Sequence, residues 1–408
     1  VVVLYGLGRV AIVVDVARGE ATTVVVVGAG VAGLTVANLL HRNGIGCVVL
    51  ERHSRARVER RQRAGVLDFA AEQVYLRSGL GDRLLSGAPR SGLLEFRVDG
   101  VPRLFDADLH TDGRAGRLIP QQLLVRRLVS TLLDNGGEVR FSAADVALHD
   151  VDGARPHVTY RDPDGVAHRL DADYVAGCDG FHGVSRARIP PEVLTTYRHS
   201  DDVGWFTVLA DSPPPRHPLL AINRHGFAAH FGRGPGASRF YLQCPPGDDL
   251  GSWTDERVWR QLRLRLADDG LPDGPIVDKA VVDARSFVVD PMSHGRLFLV
   301  GDAAHIVPPM GGKGMNLAIA DADVLARALT AAVRDGDDGR LREYSPTCLR
   351  RVWNDQEFSR WMTEMVFHGA DETTAGPFRR QLARSRIDRL FTSSAAARAF
   401  AELMAGTA

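Results

Sequence analysis

The sequence has no CxxC pair, and its four cysteines, Cys47, Cys178, Cys244 and Cys348, are scattered across 408 residues. Without paired spacing there is no zinc signature and no disulfide framework, and reduced thiols suit a cytoplasmic protein. No apolar stretch reaches the ~18 residues needed to span a bilayer, and the first residues lack the basic, apolar, small-residue order of a signal peptide. Neither charge sign is in excess: fifty basic residues balance fifty acidic ones. No overall field therefore recruits nucleic acid or an anionic membrane, and the expected partner is a small molecule. Methionine is absent until Met292. Residues 1–21 read as an N-terminal extension, poorly ordered. The Gly6-Leu7-Gly8-Arg9-Val10-Ala11 pattern inside it is set aside as a nucleotide site, because a β-branched run rather than a helix follows it.

What the chain contains is ordinary for a globular protein of two to three domains, with 45% hydrophobic and 25% charged residues. VVVVGAGVAGLTVANLLHRNGIGCVVLER, residues 24–52, sets GxGxxG between a β-branched run and a stretch of helical spacing that ends near Asn43-Gly44. In that setting Gly28 and Gly30 make the sharp turn, Gly33 lets helix and strand approach, and a pyrophosphate sits at the helix N-terminus. A second strand delivers Glu51 about 20 positions on, where a carboxylate accepts hydrogen bonds from an adenosine ribose. The pattern alone does not separate FAD from NAD. Arg52, Arg55, Arg57, Arg60, Arg61 and Arg63 follow. They read either as a solvated helix face or, beside a pyrophosphate, as phosphate ligands.

Further along, residues 119–135 have helical spacing closed by Gly136-Gly137, and short strands are expected at about 138–142, 145–150, 157–161 and 167–176. The stretch from Trp205 to Val289 alternates like strands, and from Leu317 the chain reads as helical. In FAAHFGRGPGASRFYLQ, residues 227–243, a hairpin about Gly234-Pro235-Gly236-Ala237 pairs Arg233 with Arg239 and Phe231 with Tyr241, all on one face. Facing arginines are either solvated or grip an anion.

GRLFLVGDAAHIVPPMGGKGMN, residues 295–316, puts Asp302 at a strand end, where it can accept from a ribityl hydroxyl. The free N–H groups of a helix starting near Asn316 can stabilise negative charge on a reduced flavin ring. GAGVAG, the Asp-Gly pair in GCDGFHG (177–183) and this loop stand in the order found in class A FAD-dependent aromatic hydroxylases, and the chain resembles that family from about residue 22 to about residue 395. ERRQRAGVL (59–67), RSFVVDPMSHGRLFLVGDAAHIVPPMGGKG (285–314) and LRRVW (349–353) look like its hydroxybenzoate branch.

The resemblance implies an α/β fold: a Rossmann-type, glutathione-reductase-like FAD-binding domain at residues 22–195 and 289–335, an inserted β-rich substrate domain at 196–288, and a helical C-terminal interface region at 336–408. It implies a homodimer that takes hydride from NAD(P)H and transfers one oxygen of O2, through a flavin C4a-hydroperoxide, to an electron-rich aromatic acid. Gly28, Gly30, Gly33, Glu51, Arg61, Arg63, Gln121, Asp302, Gly314, Met315 and Asn316 fall where the family holds FAD. Arg52, Arg61, His182 and Arg285 fall where it handles the nicotinamide nucleotide, and the abundance of arginine favours NADPH over NADH. Arg233 and Tyr241 match the carboxylate clamp, Arg239 the arginine between substrate and flavin, and Pro309 the proline whose carbonyl touches both. Met310 and Trp205 complete the expected pocket.

The substrate segment departs from the pattern. Phe231 stands in place of a serine that hydrogen-bonds the carboxylate, a bond worth roughly 1.5–3 kcal/mol. Ala221 is aligned with a tyrosine that relays the phenol proton, and Leu390 stands near the site of a second one. Deprotonation then uses water or a histidine such as His225, or an amino substituent makes it unnecessary. An aminobenzoate, an amino-hydroxybenzoate or a larger hydroxyaryl acid is expected rather than plain 4-hydroxybenzoate. An oxidase or halogenase of the same fold and an impaired flavin-binding protein are the alternatives. A halogenase would need a catalytic lysine and a WxWxIP tunnel, and neither is found.

Overall fold

Val24, Val25 and Val26 are fully buried in the middle of strand Glu20–Val27, which pairs in parallel with Cys47–Glu51 on one side and Ala167–Gly177 on the other. A continuous β-branched run is what a parallel strand covered on both faces demands. The computed structural model describes residues 20–60, 65–234, 236–366 and 375–407. Most of the expected N-terminal extension, together with Arg61 and Arg63, lies outside them.

This first sheet has eight strands, six in the order Ser293–His294, Leu297–Leu299, Ala167–Gly177, Glu20–Val27, Cys47–Glu51 and Glu138–Phe141. Ala144–His149 and His157–Arg161 add an antiparallel flap to Ala167–Gly177. Helices Val31–Arg42, Gln121–Asp134 and Gly314–Asp335 bury their apolar faces in the same core.

The second sheet also has eight strands. His305–Ile306, Ile276–Asp290, Thr195–Ala210, Ser238–Cys244, Gly226–Gly232, Leu219–Asn223, Leu93–Val98 and Val101–Asp106 follow one another across it. It is therefore not a contiguous insert at 196–288, because its last two strands come from within the first nucleotide-binding segment. One face packs on helix Asp255–Leu266, and the other on helices Tyr344–Val366, Ala375–Thr392 and Ser394–Ala405. Among the described residues no helix is long and apolar enough to cross a membrane.

Candidate active site

The turn after Glu20–Val27 is shaped by its glycines. Gly28 has φ +107°, and a Cβ there would stand 2.5 Å from the Cys178 carbonyl oxygen. A Cβ on Gly33 would lie 2.0 Å from the Gly28 carbonyl oxygen. Gly30 is the opposite case, with nothing within 4 Å of its Cβ position. The open space lies at the head of helix Val31–Arg42, which has no side-chain cap. That is a cradle for a diphosphate, whose oxygens would take the free N–H groups. Glu51 is buried at the end of its strand, accepting from Ala29 N and His53 N, each at 2.8 Å. Each carboxylate oxygen keeps a lone pair for a ribose hydroxyl. Gln121 is half-buried at the start of its helix, and Arg52 is exposed beside the cradle strand.

Strand Leu297–Leu299 runs parallel to Ala167–Gly177 and delivers the Gly301–Ala303 turn, with Asp302 half-buried. Asp321, from helix Gly314–Asp335, accepts from Gly301 N at 3.0 Å and holds buried His305 at 2.6 Å. Burial opposes charge on His305, but the Asp321 carboxylate prevails and raises its pKa. Stability from this pair is complete below the ordinary imidazole range and is lost as pH rises through the folded value. The melting temperature of the apoprotein is expected to fall across that window, and His305→Gln to start lower at about pH 6 and stay flat. Parallel melting curves for the two would contradict this.

The chain then makes the Pro309–Gly311 turn and enters helix Gly314–Asp335, which also has no side-chain cap and no acidic residue in its first turn. Gly314 and Met315 are half-buried there, and their N–H groups fit negative charge arriving at the helix end. Asn316 differs from the expectation. Its side chain accepts from Asp68 N at 3.0 Å and donates to the Val66 and Gly312 carbonyls at 3.1 and 3.0 Å. It braces the loop, so its side chain is not free to grip a cofactor.

Beyond the loop, Met310 packs with Trp205, Phe231 and Tyr241 on one face of the second sheet. The hairpin register differs from the one read off the sequence. Phe231 pairs with Arg239 and Ala229 with Tyr241, and a five-residue loop closes through Arg233 N donating to Ala237 O at 2.7 Å. The arginines are not directly opposite, yet the residues share the expected face because strand parity is kept. The Tyr241 ring meets Trp205 and Phe231 edge-on at 5.2 and 5.8 Å. Burial lowers the Arg233 pKa, while a hydrogen bond and the field of Tyr241 favour its charge. Arg239 Nη1 is buried with no hydrogen-bond acceptor, the Asp278 carboxylate standing 3.6 Å away. Two guanidiniums and a phenol beside the Phe231 and Trp205 rings are equipped for an anionic group on a flat ring.

Residues 21–359 match the family model described as FAD binding domain. The chain is 34% identical to p-hydroxybenzoate hydroxylase of Acinetobacter baylyi over 390 residues, covering 94% of this chain and 95% of that one. The chain belongs to the class A FAD-dependent aromatic hydroxylases. Aklavinone 12-hydroxylase DnrF of Streptomyces peucetius is a more distant relative, 27% identical over 78% of this chain and 69% of its own. Among solved structures, p-nitrophenol 4-monooxygenase PnpA from Pseudomonas putida DLL-E4 superposes with a TM-score of 0.81 at 21% identity, over 95% of this chain and 100% of that one. At that identity it speaks to the fold alone.

Two sequence expectations for this hydroxylase fail on geometry. Ala221 pairs with Ala228 and is buried on the far face of the sheet, against helix Asp255–Leu266. A one-residue shift flips a strand side chain across the sheet, and the residues facing the site are Leu220 and Ile222. His225 sits in the turn at the opposite end of strand Gly226–Gly232 from Arg233, roughly 25 Å from it at the rise of a strand. It is no base for a ring held by Arg233. Leu390 packs in the same apolar cluster as Phe358 and Met362, so a second relay tyrosine is replaced there by an aliphatic side chain.

The hydroxylase also has a basic aromatic patch at the junction of the sheets. Arg285 lies 4.3 Å above the Phe181 ring, and Arg186 lies 4.9 Å from the same ring. His182 is exposed beside them, edge-on to Phe181 at 4.9 Å. Sequence reasoning found Arg285 and His182 but missed Phe181 and Arg186, although all but Arg285 lie in or just after the Asp-Gly motif. It also missed Lys313, which carries the charge inside GGKGMN.

Proposed function

We propose that this enzyme hydroxylates an aromatic carboxylic acid of the aminobenzoate or hydroxybenzoate type, using NADPH, or NADH less favourably, and O2. Bound FAD would supply hydride acceptance and oxygen transfer. The observation that carries the reading is the Arg233–Tyr241 couple, with the Arg239 donor beside it, next to the Phe231, Trp205 and Met310 side chains. Arg233 and Tyr241 hold the substrate carboxylate, and Phe231 and Trp205 flank the ring. Arg239, beside Phe231, would stabilise negative charge as the reaction proceeds.

Gly28, Gly30, Gly33 and Glu51 would hold the adenosine diphosphate half of FAD, with Arg61, Arg63 and Gln121 alongside. Asp302 would hold the ribityl chain, and the N–H groups of Gly314 and Met315 the ring. Arg285, His182 and exposed Arg52 form the surface for the nicotinamide nucleotide, and arginine density favours a 2′-phosphate. The side chains of Leu220, Met362 and Leu390 on that face cannot themselves take a phenol proton. That disfavours plain 4-hydroxybenzoate and favours an amino-activated or larger ring. A homodimer is part of the same reading, and exposed Phe378 and Leu382 on helix Ala375–Thr392 offer apolar surface for it.

The test is NADPH oxidation by the yellow protein with a panel of aminobenzoates and hydroxybenzoates. One acid should accelerate it and emerge about 16 mass units heavier, the mass of one inserted oxygen. Acceleration without a heavier product would point to an uncoupled or oxidase function. No acceleration by any acid would sink the hydroxylase reading.

A further inference from the structure

Lys313 is one of only two lysines among the chain's 50 basic residues, and its side chain is 1% exposed. It stands at the head of helix Gly314–Asp335, where its ammonium donates to Asp68 Oδ2 at 3.0 Å and to the Met404 carbonyl at 3.2 Å. A second carboxylate, Asp355 Oδ1, lies 3.9 Å away. Asp68 is fully committed, since its Oδ1 also caps helix Phe69–Arg77 by accepting from Ala71 N. Asp355 is not. It comes from the middle of helix Tyr344–Val366 and borders a cavity of about 340 Å³ whose wall includes Thr347, Arg350, Arg351 and Asn354. Asp68 and Asn316 line the same cavity, so water reaches the whole cluster there.

We propose that Asp355 is a positioning residue that exchanges its proton through this cavity, and so sets the charge of the Lys313–Asp68 pair beneath the flavin loop. Protonated, Asp355 leaves Lys313 and Asp68 as a neutral pair. Ionised, it makes the cluster net negative beside the N-terminus of helix Gly314–Asp335, against the positive end of the helix dipole. Charge arriving on a reduced flavin there is then opposed, and FAD becomes harder to reduce. This rests on the reading of that helix end as the flavin site.

The groups facing Asp355 are Lys313 from the loop, Asp68 from helix Phe69–Arg77, His305 from its short strand, and Arg350 and Arg351 from its own helix. Burial raises its pKa, Lys313 lowers it, Asp68 raises it, and Arg351 and His305 lower it, with the balance at about 6.

The experiment is a redox titration of FAD-loaded protein from about pH 5 to about pH 8 without any aromatic acid, so the substrate reading plays no part. The wild-type midpoint potential should bend near Asp355's titration. The change is about tenfold in the ratio of reduced to oxidised binding, roughly 30 mV for a two-electron couple. Asp355→Asn should abolish the bend and hold the potential at its low-pH branch, and Asp355→Glu should keep the bend. A wild-type plot without the bend, or a bend that persists in Asp355→Asn, overturns the proposal. The apoprotein gives a second readout. A raised carboxyl pKa means stability is lost as pH climbs from the ordinary carboxylate range to the folded value, so Asp355→Asn should outlast wild type in heat above about pH 6. Identical pH profiles of melting overturn the proposal as well. Failure to take up FAD would sink the flavin reading itself, while the apoprotein measurement still judges Asp355.

Discussion

Arg233→Ala should raise KM for the accelerating aromatic acid more than about 100-fold while the protein stays yellow. A hydrogen bond to a charged group contributes roughly 1.5–3 kcal/mol, and a substrate carboxylate left unpaired in an apolar chamber adds desolvation to that loss. Tyr241 loses its partner in the same substitution. Flavin retention follows from position. Arg233 closes a hairpin of the second sheet, whereas the glycine cradle belongs to the first. Arg233→Lys keeps the charge but not the two-pronged fork, so an intermediate loss of about tenfold is expected. Steady-state kinetics decide the matter, with the amide of the same acid as a control. If wild-type enzyme binds acid and amide equally, the clamp is not where these residues place it.

The second large effect separates glycines that shape the turn from the one that leaves room for a ligand. Gly28→Ala and Gly33→Ala should each destabilise the apoprotein by about 4 kcal/mol or more, because the new methyl meets backbone oxygen that cannot move without parting neighbouring strand ends at Gly28 or helix from turn at Gly33. Gly30→Ala should leave apoprotein melting within about 0.5 kcal/mol of wild type, since its backbone is extended and its Cβ space is empty. It should nonetheless weaken FAD binding more than about 100-fold, the methyl standing where a diphosphate oxygen must approach. Thermal melting with and without FAD, and retention of flavin absorbance on desalting, give the answer. A Gly30→Ala protein that holds FAD like wild type would show that the dinucleotide does not cross that turn.

Sequence carried most of this architecture where the signal is local. The β-branched run before Gly28 and the helix at 121–134 were legible because their hydrophobic periods lie within one element. The face of Arg233, Arg239 and Tyr241 was also legible, although their register was not. A shift of one residue on each strand preserves parity, while the one-residue slip at Ala221 reverses it. Non-local pairings escaped altogether. The parallel pairing of Leu219 with Glu95 and the contact of Lys313 with Asp68 join residues far apart in the chain, and no spacing rule encodes either.

The strands Leu93–Val98 and Val101–Asp106, lent to the second sheet from the first half of the chain, also limit how the enzyme can diversify. A recombination that exchanged residues 196–288 as a cassette would strip Leu219–Asn223 of its partner strand and leave a raw edge. Thr195–Ala210 and Ile276–Asp290 are paired along nearly their whole length, so the two crossings at that boundary are not loose linkers either. New substrates are therefore reached by changing side chains such as Phe231, Leu220 and Leu390 within a fixed frame, not by trading modules.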